Sequence, residues 1–119
     1  MKKIMIVEDS NLMIAVIRRF ILSENSEMEI VEARNGEESL EKYKSERPDL
    51  VFMDIKMPGM DGITALEEIK KIDSSAKVVM CTSLKEPEQE ERAKKAGAKG
   101  YIMKPFSKQD ILDAIKNNS

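Results

Sequence analysis

Residues 51–62 read VFMDIKMPGMDG, and with Leu50 they end a run of four apolar residues abruptly on an acid, Asp54. A short apolar run closed by turn residues such as Pro58, Gly59 and Gly62 has the form of a buried strand leaving a sheet. An aspartate after a strand is usually only a solvated strand end. The other possibility is a reactive carboxylate held at the lip of the sheet, and the rest of the chain has to weigh one against the other.

Four more runs repeat the strand pattern: IMIV (4–7), EIV (29–31), VVMC (78–81) and YIM (101–103). Glu29 and Glu32 break up the second run, which therefore reads as an edge strand. The remaining runs are nearly continuous, as strands covered on both faces should be. Helical spacing fills the intervals. Residues 11–22 set Met13, Ile17, Phe20 and Ile21 on one face, and residues 62–72 set Ile63, Leu66, Ile69 and Ile72 three apart. Residues 107–116 carry Ile111, Leu112 and Ile115 behind Ser107, a candidate N-cap, and Asp61 is placed to cap the helix from 62. The stretch 86–96 has little beyond Ala93 and Ala96 to bury, and Gly97 is expected to end it in the left-handed region. Five strands alternating with five helices predict an α/β domain with a parallel sheet covered on both faces.

Composition narrows the function. At 119 residues the chain suits one domain, residues 1–119, large enough to bury roughly two-thirds of its unfolded surface without metal or disulfide. Charged residues make up 35% of the chain, but the net charge is only -2, which argues against a generally basic nucleic-acid surface. A single cysteine, Cys81, rules out an internal disulfide and reads as core. The nine methionines read as core filler, with Met53, Met57 and Met60 lining the rim near Asp54. The absence of histidine removes histidine metal sites, histidine triads and phosphohistidine carriage. The start, MKKIMIVEDS, is too short in apolar residues for a secretory signal or a membrane span, so a cytoplasmic location is expected.

The polar residues fall in one pattern. The strands run successively into Glu8 and Asp9, into Asp54, into Thr82 and Ser83, and into Lys104. In an open parallel sheet, ligands bind beyond the carboxyl ends of the strands, where strand order reverses. Three carboxylates gathered there repel one another unless a cation intervenes, and hard oxygen ligands with open positions suit Mg²⁺. A carboxylate beside Mg²⁺ can attack a phosphoryl group and form an aspartyl phosphate. Lys104 and the Thr82 hydroxyl would then meet the other phosphoryl oxygens.

VEDS, MDIKMPGMDG, CTS and KPF, in that order, resemble the receiver domains of two-component response regulators over essentially the whole chain, and AGAKGYIMKPF is an especially close match. The resemblance implies a flavodoxin-like (βα)5 fold with strand order 2-1-3-4-5. It implies Asp54 as phosphoacceptor, fed by a histidine kinase, and a metal site for Mg²⁺, with Mn²⁺ as a substitute. That site would comprise Asp9, Asp54, the backbone carbonyl of Lys56, and Glu8 mostly through water. Thr82 and Lys104 would contact the phosphoryl group, Lys104–Pro105 would be a cis peptide, and Tyr101 would occupy the aromatic switch position. Lys56 and Leu84, two residues beyond the acceptor and the threonine, would flank the hydrolytic water. Glu8 stands where many members have aspartate, and Ser83 where alanine is common.

A stand-alone, monomeric switch is expected, signalling to a protein target through helix 4, strand 5 and helix 5, with no direct nucleic-acid contact and no membrane insertion. Chemotaxis stands slightly ahead of a phosphorelay intermediate passing phosphate to a phosphotransferase. An aspartate-nucleophile phosphatase fits less well, because such enzymes use an acid two residues after the nucleophile, where this chain has Lys56. A receiver that binds partners without phosphorylation is disfavoured by the complete residue set.

Overall fold

In the computed structural model, which describes residues 1–83 and 86–119, five strands alternate with five helices. They are β1 (Lys3–Val7), α1 (Asn11–Glu24), β2 (Glu29–Ala33), α2 (Gly36–Glu46), β3 (Leu50–Met53), α3 (Gly62–Ile72), β4 (Val78–Thr82), α4 (Pro87–Lys95), β5 (Gly100–Met103) and α5 (Lys108–Asn117). All pairings are parallel and the order is β2-β1-β3-β4-β5, the flavodoxin-like arrangement. The strand interrupted by glutamates lies at an edge, as its sequence predicts.

The period-2 alternation of the strands divides the core in two. Met5, Val7, Val51, Met53, Val78 and Met80 face a layer built from Tyr43 of α2, Leu66 and Ile69 of α3 and Ala93 of α4. Their neighbours Ile4, Ile6, Leu50, Phe52, Val79 and Cys81 face Ile14, Ile17 and Ile21 of α1 and Ile111 of α5. Cys81 is buried core, and burial pushes its thiol up to about 12, which leaves it inert.

Local chemistry fixes the helix starts. The side chains of Ser10, Asn35, Asp61 and Ser107 each accept a hydrogen bond from a backbone N–H three residues on, and Ser107 with Asp110 completes a capping box. Helix α4 begins at Pro87 with no side-chain cap bond and buries only Ala93. Gly97 follows it at φ 96°, the left-handed conformation expected there. Helix α2, mostly polar in sequence, is anchored by Tyr43, whose hydroxyl donates to Asp73 at 2.8 Å.

Candidate functional site

The sheet order itself makes the crevice. From β1 the chain passes to β2 on one side and then to β3 on the other, so the carboxyl ends of β1 and β3 flank the point where direction reverses. The ladder continues one residue beyond the strands. The N–H of Glu8 donates to Ala33 O at 3.0 Å, that of Asp54 to Val7 O at 3.0 Å, and that of Lys104 to Thr82 O at 2.8 Å. Three charged side chains are thereby projected from fixed backbone into one space.

Glu8 and Asp54 are buried and Asp9 is exposed, and one carboxylate oxygen of each lies within 4.8 Å of the others. Lys104 closes the group, with its Nζ 2.6 Å from Glu8 Oε2 and 3.4 Å from Asp54 Oδ2. Burial pushes Glu8 up to about 7 against the pull of Lys104. Burial also works against the Lys104 ammonium, but its bond to Glu8 and the fields of Asp54 and Glu8 outweigh that and raise its pKa. Formally, three carboxylates against one ammonium leave two negative charges, matching a divalent cation. An all-oxygen donor set with one exposed member also suits Mg²⁺, which binds few carboxylates and keeps waters.

Thr82 is fully buried at the end of β4. Lys56 lies in the β3–α3 loop with its side chain in solvent. Lys104–Pro105 is cis. Tyr101 lies partly buried in β5, and burial, followed by the fields of Glu90, Glu86 and Asp54, raises its phenol pKa. Leu84 lies outside the described residues.

The sequence reading missed two features. Glu8 binds Lys104 across 96 residues, a pairing with no local signal. Gly62 packs so tightly under the end of β3 that a Cβ placed on it would lie 1.9 Å from the Asp54 carbonyl oxygen. The only hint of that in the sequence is a glycine directly after the capping Asp61.

A family model for the response regulator receiver domain matches residues 4–116. The chain belongs to the response regulator receiver family. This receiver is 50% identical over 117 residues to the chemotaxis protein CheY of Halobacterium salinarum, an alignment covering 98% of this chain and 95% of that one. It superposes with a TM-score of 0.91 at 33% identity on a CheY-like receiver domain protein from Methanospirillum hungatei JF-1, covering 98% and 91% of the two chains. A chain of the CheX–CheY–BeF3–Mg complex from Borrelia burgdorferi gives 0.89 at 33% identity, covering 96% and 86%. Receiver domains of this type work in phosphorylation-dependent signalling, not as metabolic enzymes, and they bind Mg²⁺ at an acidic pocket of the kind Glu8, Asp9 and Asp54 form. No helix among the described residues is long and apolar enough to cross a membrane.

Proposed function

We propose that residues 1–119 act as one receiver unit that takes a phosphoryl group from a histidine kinase onto Asp54 and signals by binding a protein partner in chemotaxis or motility. The observation that carries this reading is the position of Asp54: a buried carboxylate at the reversal point of the sheet, with Lys104 at 3.4 Å and two further carboxylates close by. The CheY relatives favour the chemotactic role over a phosphorelay intermediate.

In the transfer, an Asp54 carboxylate oxygen attacks phosphorus as the bond from phosphorus to the donor's imidazole nitrogen breaks, and that nitrogen keeps the electron pair. Little covalent chemistry is asked of the protein, so position and charge neutralisation do most of the work. Asp9, Asp54 and the backbone carbonyl of Lys56 would hold Mg²⁺, or Mn²⁺ in its place, with Glu8 contributing mostly through water, and the ion would supply positive charge to the phosphoryl group. Lys104 neutralises a second oxygen, and the Thr82 hydroxyl donates to a third. Lys56 and Leu84 hinder the water that would hydrolyse the product.

Movement of Thr82 toward the new oxygens gives Tyr101, on the neighbouring strand, room to turn inward. The output surface is then α4–β5–α5. That end of the chain, from Lys85 on, holds eight basic and six acidic residues, so a partner with an acidic patch fits it. A tenfold preference for the partner needs only about 1.4 kcal/mol between the two states. The protein acts as a cytoplasmic monomer.

The test is mass spectrometry after treatment with acetyl phosphate. The wild type should gain one phosphoryl group with Mg²⁺ and none with the metal chelated, and Asp54→Asn should gain none. A phosphate adduct retained on Asp54→Asn would identify a different acceptor.

A further inference from the structure

The ammonium of Lys104 stands between two buried carboxylates and is bound unequally, at 2.6 Å to Glu8 and 3.4 Å to Asp54. The backbones of all three residues are fixed by ladder hydrogen bonds, so none can drift to even out the distances. Only side-chain torsions decide which carboxylate the ammonium takes. Glu8 carries one methylene more than an aspartate, and that added reach places its oxygen on the ammonium. Lys104 cannot simply be left unpaired, since its side chain is only 14% exposed and a buried charge without a partner is expensive. If Glu8 did not hold it, the nearest alternative would be Asp54.

We propose that Glu8 is a positioning residue that parks Lys104 away from Asp54, so that the acceptor carboxylate stays open to a divalent cation and a phosphoryl donor. This rests on the reading of Asp54 as acceptor and metal ligand given above. It assigns Glu8 a task beyond contributing negative charge. A residue that served only by its charge would weaken cation binding equally whether or not Lys104 were present. A residue that holds Lys104 off the acceptor would matter most when Lys104 is there to be held.

A double-mutant cycle separates the two roles. The Mg²⁺ dissociation constant is measured by NMR titration for the wild type, Glu8→Gln, Lys104→Gln and the double variant. Glu8→Gln should weaken Mg²⁺ about tenfold or more in the wild-type background and no more than about threefold in the Lys104→Gln background, because the two residues are coupled. An equal or smaller effect in the wild-type background overturns the proposal and leaves Glu8 as a charge alone. The second readout needs no cation. With ¹⁵N-labelled lysine, the Lys104 ammonium of the metal-free wild type should report a bond to Glu8, and in Glu8→Gln a bond to Asp54. An ammonium already bonded to Asp54 in the wild type overturns the parking role whatever Mg²⁺ does. Failure of the wild type to bind Mg²⁺ while its Lys104 still changes partner in Glu8→Gln would instead strike at the metal reading, and with it the cation part of this proposal.

Discussion

Substituting Gly62 by alanine should be among the most damaging single-methyl changes available in this chain. Helix propensity predicts the opposite sign, since alanine is favoured over glycine inside a helix by about 1 kcal/mol. The geometry overrides that preference. The added Cβ would lie 1.9 Å from Asp54 O, 2.7 Å from Asp54 C and 2.8 Å from Ile55 Cα. An ordinary carbon–oxygen contact is about 3.3 Å, so the two backbones must separate by about 1.4 Å. The three nearest atoms are all main chain, so rotation of a flexible side chain cannot relieve these contacts. The Gly62 N–H also donates to Ile55 O at 2.8 Å, and separation stretches that bond. Overpacking costs typically about 1–3 kcal/mol, and with only backbone to move, about 3 kcal/mol is the expected loss. For a domain of this size that lowers Tm by about 12 °C. Thermal unfolding followed by circular dichroism at 222 nm measures it. Gly100→Ala is the internal control, because its Cβ would meet Val79 at 3.5 Å, an ordinary contact. A Gly62→Ala protein as stable as the wild type would refute the reasoning, and so would one no worse than Gly100→Ala.

Two further outcomes follow from other parts of the fold. Asp49 accepts hydrogen bonds from the N–H groups of Lys2 and Lys3 at 2.8 and 2.9 Å, and these donors lower its pKa from the ordinary 3.8. A lowered folded-state pKa gives stability that is fully present above 3.8 and is lost as pH falls through the folded value. Asp49→Asn should therefore flatten the decline of the urea midpoint below that pH; parallel curves for variant and wild type would refute the assignment. Helix α4 buries only Ala93, whereas α3 buries Ile63, Leu66 and Ile69. Local opening of α4 should cost at least about 3 kcal/mol less, so its amides should show about a hundredfold less protection from hydrogen exchange than those of α3. Equal protection in the two helices would show that α4 is held by something other than its buried surface.

The sequence by itself determined the class of fold. Five apolar runs, four of them with little charge inside, can be buried only in a sheet covered on both faces, and the intervening spacing of Ile63, Leu66 and Ile69 has no other use than a helix face. Local signals also sufficed for the caps at Asp61 and Ser107 and for the left-handed Gly97, because each depends on a few neighbouring residues. The placing of Asp54, Asp9, Thr82 and Lys104 on one rim came from their positions at the carboxyl ends of the strands, whereas strand order 2-1-3-4-5 came through the resemblance to receivers. Tertiary structure decided what lies between distant residues. Helix α2 has a mostly polar sequence, and its anchor, Tyr43, is identified only by the Asp73 it meets across the gap to α3. The clearance of Gly62 over Asp54 depends on how closely a helix start approaches a strand end, a distance no spacing rule contains. The partner of Lys104 was likewise undetermined, because an ammonium among three carboxylates has several equivalent choices until backbone positions and side-chain lengths are fixed. The fold resolves that choice at 2.6 Å in favour of Glu8, and so leaves Asp54, at 3.4 Å, as the looser of the two.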